Sequence, residues 1–263
     1  MELPESIRKR IVGKAYAQDD IGKSGSSIML FEDMVLKIEP DGEEAAKAAS
    51  VMAWLNGRLP APRILERESR EGMSYLLMTR VSGEMACSPR YMNNPGELIR
   101  LLADTLLAMW SIDAKDCPVQ SGLDEKLRMA RCNVERGLVD MENVEPDTFG
   151  PGGFSSPEHL LRWLEDNRPD EQMVFSHGDF CLPNVFFEKG RLSGLIDLGR
   201  AGAADRWQDL ALCCRSLLHN ADGTYGPRYD GISSTSVQHL FDALGMKRDD
   251  EKMRYYLLLD ELF

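Results

Sequence analysis

Three oxygen-bearing side chains, Asp179, Asn184 and Asp197, stand in the stretches His177-Gly178-Asp179-Phe180-Cys181-Leu182-Pro183-Asn184 and Ile196-Asp197-Leu198-Gly199. Between Asn184 and Asp197, Val185-Phe186-Phe187 and Leu192 to Ile196 read as two short strands. Lys189-Gly190 turns one into the other, because glycine supplies the backbone angles of a tight reversal. Folding this hairpin brings its ends together and sets Asn184 beside Asp197, within about one residue of register. Two such oxygen donors suit Mg²⁺, a hard cation that prefers near-octahedral oxygen coordination. Asp179 is then placed to accept the proton of a hydroxyl that attacks phosphorus. The combination implies phosphoryl transfer from ATP with Mg²⁺. A turn rich in Asp and Asn explains Asp179 alone. It does not explain Asp197 at the end of Leu195-Ile196, nor His177 behind the apolar Met173-Val174-Phe175. For His177 a structural role is expected, with a ring nitrogen bonded to backbone near the metal site.

The elements that must position these residues fall into two groups. Residues 1–80 read as a small β-rich nucleotide-binding lobe. Ser24-Gly25-Ser26-Ser27 precedes the strand Ile28 to Phe31, Glu32-Asp33 turns the chain, and Met34 to Ile38 returns. A helix is predicted over Glu43 to Leu55, stopped by Gly57 and Pro60-Ala61-Pro62. Arg63 to Glu66 and Tyr75 to Thr79 pair about the turn at Glu71-Gly72. Val81-Ser82-Gly83 reads as the hinge into residues 81–263, a mainly helical catalytic lobe. Its predicted helices cover Glu97 to Ile112, Asp124 to Glu142, Pro157 to Asn167, Asp209 to Leu218 and Lys252 to Leu262. The fold class is α+β.

Lys37, on the returning strand, faces the serine-glycine turn. It either aims its ammonium at nucleotide phosphates or points to solvent from an alternating strand. The turn lacks the G-x-x-x-x-G-K-[ST] pattern of a P-loop, yet its N–H groups and the Ser24, Ser26 and Ser27 hydroxyls suit a phosphate. Glu43 and Glu44 are the candidates to hold Lys37 in place, or simply acidic residues at a helix start. Asp205 either braces the catalytic loop or caps the helix that follows. Arg200 belongs to the rim of the phosphate or substrate site, or to a surface ion pair.

A formal net charge of −12 over 263 residues disfavours nucleic acid and acidic membranes and favours a small polycation. The six cysteines show no C-x-x-C spacing and fit reduced thiols. No zinc cluster completes the proximity of Cys181 to His177. Taken as a nucleophile pair, those two residues leave Asp197 and the first lobe without a role. The N-terminal residues lack a secretion-signal pattern and no apolar run is long enough to span a bilayer, so a cytoplasmic protein is expected, as a monomer or weak dimer.

The chain resembles the aminoglycoside 3'-phosphotransferases, bacterial antibiotic-resistance kinases with a protein-kinase-like fold. The resemblance runs through Ser24-Gly25, Val35-Leu36-Lys37, Trp54-Leu55 to Pro62, Ser176 to Asp179, Asn184 and Ile196 to Arg200. It continues through Ala204 to Ala211 and the end Leu259-Asp260-Glu261-Leu262-Phe263. It implies that Asp179 is the catalytic base, that Asn184 and Asp197 bind Mg²⁺, and that Lys37 contacts ATP phosphates. It also implies that Arg200, Glu261 and the carboxylate of Phe263 are ligands of an aminoglycoside, whose cationic groups call for carboxylates. Glu142, Glu145 and Asp147 add acidity nearby. Two positions depart from the pattern. Ala48 stands where the family carries the glutamate that pairs with the lysine, with Glu44 one helical turn earlier, which predicts weaker phosphate positioning. His219-Asn220 stands where acidic substrate ligands are frequent. The alternatives are a kinase-fold nucleotide binder without turnover and a kinase for another small hydroxylated amine.

Overall fold

A computed structural model of the chain describes residues 3–19 and 26–263, so Ser24 and Gly25 of the expected phosphate-binding turn lie outside the described residues. A short helix, α1 (Glu5–Ile11), comes first, followed by β1 (Ala17–Asp19), β2 (Ser27–Leu30) and β3 (Met34–Pro40). Then come α2 (Glu43–Leu55), β4 (Ile64–Arg70) and β5 (Met73–Thr79). The five strands form one antiparallel sheet in the order β1-β2-β3-β5-β4. Alternation along β3 decides which way Lys37 looks. Met34 and Leu36 are buried with Ile7, Ile11, Phe31, Tyr75 and Leu77 in a small core under α1. Period-two geometry turns Lys37 to the opposite face, toward the second lobe.

The helix over residues 43–55 has the predicted limits, because the alanine-rich run favours helix and the chain leaves it at Asn56-Gly57. Its inner residues Val51, Met52 and Leu55 do not join the small core. They pack with the main core of the second lobe, so α2 is anchored to the lobe that carries the catalytic loop.

The second lobe runs through β6 (Glu84–Met85), α3 (Pro89–Met92), α4 (Pro95–Trp110), α5 (Leu123–Arg136) and α6 (Pro157–Asp166). β7 (Met173–Ser176), β8 (Val185–Glu188), β9 (Arg191–Leu195) and β10 (Gly202–Asp205) follow, then α7 (Arg206–Asp222), α8 (Ser234–Ala243) and α9 (Asp250–Asp260). α4 buries Leu98, Leu101, Leu102, Leu106 and Met109 along one stripe, as its periodicity predicts. α5 is shorter than the prediction to Glu142. Gly137 adopts the left-handed conformation and accepts the helix end, leaving Leu138 to Glu142 as turn and loop. α7 is longer than predicted because Asp205 caps it ahead of Asp209. α1 and α8 lie outside the helices predicted from the sequence.

The hairpin forms with the expected turn. β8 and β9 pair antiparallel, Val185 opposite Leu195, and Lys189 and Gly190 both have positive φ, of 52° and 72°. Val185, Phe187 and Leu195 are fully buried, and Tyr91 donates its hydroxyl to the carbonyl of Phe187 at 3.1 Å. Leu195 therefore anchors the strand that delivers Asp197. Leu195→Ala is expected to cost about 2–5 kcal/mol in unfolding free energy, read as a lower urea midpoint at unchanged slope. An unchanged midpoint would show that the hairpin is not held by this side chain.

Candidate active site

The hairpin places its two ends as its register requires. The N–H of Ile196 donates to the carbonyl of Asn184 at 3.0 Å, one step beyond the last strand pair, and Asp197 follows in a left-handed conformation with φ 57°. Asn184 sits in the short turn Leu182–Asn184, and its Nδ2 donates to both the carbonyl and Oδ2 of Asp179, each at 3.0 Å. Asp179, Asn184 and Asp197 thus lie around the open end of one hairpin. The Asn184 N–H groups turned to Asp179 leave its Oδ1 as an oxygen donor. The Asp197 carboxylate is half exposed, and its Oδ1 lies 3.5 Å from the Lys37 ammonium.

His177 bonds to backbone on both sides. Its Nδ1 accepts from the N–H of Asp179 at 3.3 Å, so the proton of a neutral ring resides on Nε2, which donates to the carbonyl of Ile196 at 2.9 Å. The ring stitches the Asp179 loop to the Asp197 strand. Neither nitrogen is left to activate Cys181, and burial beside the charge of Asp179 pushes that thiol far up. A Cys-His nucleophile pair is excluded by this geometry.

The brace of the catalytic loop is Asp209, expected from the sequence only as the start of a helix. It is fully buried, accepts from the Ser176 hydroxyl and the N–H of Gly178 on one oxygen and from the N–H of His177 on the other, all at 3.0 Å. Burial pushes its carboxyl up, while three converging donors favour the carboxylate. Asp205, the residue expected to brace the loop or cap a helix, caps α7 through the N–H of Trp207 and also accepts from Gln172 and the Tyr256 hydroxyl. The bracing half of that expectation moves one helical turn along, to Asp209. Gly178 between them must be glycine: its φ is 80°, and a Cβ there would lie 2.0 Å from the carbonyl oxygen of Arg200.

Lys37 reaches across from β3 and is held by Glu39 on its own strand at 2.9 Å. This corrects the expectation that a carboxylate of α2 holds it. Glu43 pairs instead with Lys47 at 2.8 Å. Glu44 stands over Gly199, close enough that a Cβ there would fall 2.7 Å from its carboxyl oxygen, and it adds to the field at Lys37 without an ion pair. Burial works against the charge of Lys37, but Asp197, Glu39 and Glu44 outweigh it and hold the pKa above the ordinary lysine value. The carboxylate paired with Lys37 thus stands at i+2 on its own strand and not on α2. Ser27 pairs with Ile38, which sets the start of β2 beside Lys37.

On the other side of Asp179, Arg200 bonds to Asp260 at 3.2 Å and lies over the Phe263 ring at 5.4 Å. Arg215 also pairs with Asp260, and reaches Glu261 at 3.4 Å. Glu261 is buried and accepts from the N–H of Glu145 at 2.9 Å, which ties the 142–157 loop to the end of the chain. Burial pushes Glu261 up to about 7 in spite of that bond and of Arg215. His219 lies 3.6 Å from Glu145. The structure thus brings Arg200, Glu261 and Phe263 together with Asp260 and Arg215, for which the sequence gives no separate role. The spacing of Asp260 from Glu261 gave no hint that one carboxylate would bridge two arginines. Among the described residues no three His, Cys, Asp or Glu side chains converge on one point.

Residues 24–237 match the model of the phosphotransferase enzyme family. An aminoglycoside 3'-phosphotransferase of Enterococcus faecalis is 40% identical over 276 residues, covering 100% of this chain and 99% of that protein. The chain belongs to the aminoglycoside 3'-phosphotransferase family. The crystal structure of an aminoglycoside-3'-phosphotransferase of type VIII superposes with a TM-score of 0.80 at 29% identity, covering 98% of this chain and 97% of that one. The aminoglycoside phosphotransferase APH(3'')-Id of Streptomyces rimosus, in complex with ADP and streptomycin, shares the fold at a TM-score of 0.80 and 24% identity over 97% of this chain and 95% of that one. The two-lobed, protein-kinase-like architecture of the family is the architecture described above, with its β-rich first lobe and helical second lobe.

Two outcomes are expected of the bracing contacts. Asp209→Ala orphans two buried N–H groups and a hydroxyl and lowers stability by about 2–5 kcal/mol, measured by urea unfolding. Glu39→Gln weakens the hold on Lys37 and raises KM for ATP roughly fivefold to fiftyfold, about 1–2.3 kcal/mol, with the second substrate saturating. Unchanged ATP kinetics in that variant would leave Lys37 positioned by Asp197 alone.

Proposed function

We propose that the protein transfers the γ-phosphoryl group of ATP to the 3'-hydroxyl of kanamycin- and neomycin-type aminoglycosides and so inactivates them. The observation that carries this reading is the hairpin end, where Asp179, Asn184 and Asp197 meet Lys37 of the opposite lobe, with the Asp260-Glu261 carboxylates close behind Asp179 and Arg200. Lys37 orients the nucleotide phosphates from above, aided by Ser26 and Ser27 at the start of β2. The Asn184 bonds fix one oxygen of Asp179, which leaves the other to receive the acceptor hydroxyl. Asp179 acts chiefly by orientation and late proton acceptance, because a loose phosphoryl transition state asks little of a strong base. A free Asn184 Oδ1 and a half-exposed Asp197 carboxylate fit Mg²⁺, which takes one or two protein oxygens and completes its shell with water and phosphate. When bound, Mg²⁺ supplies charge neutralisation at the transferred phosphoryl oxygens.

The polycationic acceptor is drawn by the net charge of −12 and by Glu145, Asp260 and Glu261. Arg200 and Arg215 hold Asp260 between them and set where that acidity points. The reading of a nucleotide binder without turnover rests on Ala48, and the Glu39 ion pair, an alternative hold on Lys37, weighs against it.

The test is the purified protein with ATP and Mg²⁺ against an aminoglycoside panel, read by mass spectrometry. Acceptors with a 3'-hydroxyl are expected to gain one phosphoryl group, and those lacking it to stay unmodified. Phosphorylation of the 3'-deoxy controls would refute the regiochemistry. Asp179→Ala is expected to lower kcat roughly a hundred- to ten-thousand-fold with little change in nucleotide affinity, and near-wild-type turnover would sink the assignment of the base.

A further inference from the structure

α7 ends in a short, well-tied turn. Gly223 takes the left-handed conformation that closes the helix, with φ 97°. Asp222 accepts from the N–H and the hydroxyl of Thr224, at 2.9 and 2.6 Å. The N–H of Tyr229 donates back to the carbonyl of Ala221 at 2.7 Å. From this turn projects Tyr225, 64% exposed. A single exposed aromatic needs no explanation by itself. This ring, however, is held in place. His219 of α7 meets it edge to face, with 5.6 Å between centroids and 69° between planes, and its Nδ1 lies 3.5 Å from the Tyr225 hydroxyl oxygen. One perpendicular neighbour covers at most one face of a ring, so the other stays open to solvent.

The open face belongs to the acceptor side of the site. His219 Nε2 lies 3.6 Å from Oε1 of Glu145, whose N–H is held by the buried Glu261. Glu261, Glu145, His219 and Tyr225 form a continuous row from the end of the chain out to the surface. Burial pushes the Tyr225 hydroxyl up, Arg215 opposes, and Glu145 and Cys181 add to the shift, so that end of the ring looks back toward the catalytic loop. Cys181 in turn donates its N–H to the carbonyl of Asp179 at 2.8 Å.

The chemistry of this row selects its occupant. An aromatic face attracts an ammonium group, and a carboxylate beside it adds charge of the right sign. Asp260 and Glu261 are tied to Arg200 and Arg215, whereas among the described residues no lysine or arginine neutralises Glu145. An anion finds no free cation here. The reacting hydroxyl sits at Asp179 and the row leads away from it, so the group that reaches Tyr225 belongs to a ring further along the acceptor.

Resting on the reading of the protein as an aminoglycoside kinase, we infer that Tyr225 and Glu145 form an outer subsite for an ammonium-bearing ring of the acceptor remote from the ring that is phosphorylated. Such a contact is made equally before and during phosphoryl transfer, so it acts on KM and leaves kcat alone.

The experiment compares neamine, which has only the reacting ring and the aminocyclitol, with kanamycin A and neomycin B, which add amine-bearing outer rings by different linkages. Steady-state kinetics are paired with isothermal titration calorimetry of the full chain loaded with a non-hydrolysable ATP analogue and Mg²⁺. Tyr225→Ala is expected to raise KM and Kd for kanamycin A or neomycin B roughly threefold to thirtyfold, with kcat within about twofold of wild type. The acceptor that suffers the loss identifies the linkage that reaches the subsite. For neamine both constants are expected to stay within about twofold. Tyr225→Phe, which keeps the aromatic face, is expected to match wild type on every acceptor, and Tyr225→Leu, which keeps only apolar bulk, to behave as the alanine variant. The inference is overturned if Tyr225→Ala spares both larger acceptors, if neamine loses as much as they do, or if phenylalanine serves no better than leucine. Should the wild type phosphorylate none of the acceptors, the kinase reading fails by itself, and the calorimetric constants still decide the subsite.

Discussion

The start of the catalytic loop, Ser176 to Gly178, takes its place from one buried carboxylate. Asp209 emerges from the first turn of α7, and the three donors that fill its carboxylate belong to Ser176, His177 and Gly178. In a dry interior such a group is tolerable only when its lone pairs are filled, so the loop has little freedom to leave. His177, held by its own N–H, turns its ring to the carbonyl of Ile196 and thereby fixes the second half of the site. Asp179 and Asp197 are thus positioned by a chain of bonds that begins in a helix neither of them belongs to. The cleft-facing side chains are left free for chemistry because their backbone obligations are met elsewhere.

The part of this arrangement readable in the sequence is the part governed by local rules. The Lys189-Gly190 hairpin, the helix over residues 43–55 and the alternation that turns Lys37 away from Leu36 follow from turn chemistry, propensity and period. The opposition of Asn184 and Asp197 follows from the hairpin. What could not be read depends on which helix passes behind the loop. Asp205 and Asp209 are one helical turn apart and both acidic at a helix start, and only the packing of α7 against β7 separates a cap from a brace. α5 ends short of its predicted limit because Gly137 stops it, while Leu138 to Glu142 carry no proline to mark the end.

The partner of Lys37 shows the same limit in sharper form. A helix-borne glutamate is the expectation when lysine and helix are considered as separate elements. Here the N-terminal turn of α2 lies over Gly199, and Glu44 is drawn toward the metal-side turn rather than into an ion pair with Lys37. Glu39, two residues along the strand, shares its face with Lys37 by simple pleating.

That choice of partner has a mechanical side. α2 packs with the second lobe, whereas β3 belongs to the sheet with its own small core. A motion that lifts the sheet to admit or release a nucleotide parts Lys37 from Asp197 across the cleft, but Glu39 rides on the same strand. The ammonium keeps its counter-charge at every stage of such an excursion, and the gap can open without stranding a bare cation in a half-dry crevice. A carboxylate mounted on α2 would have stayed behind.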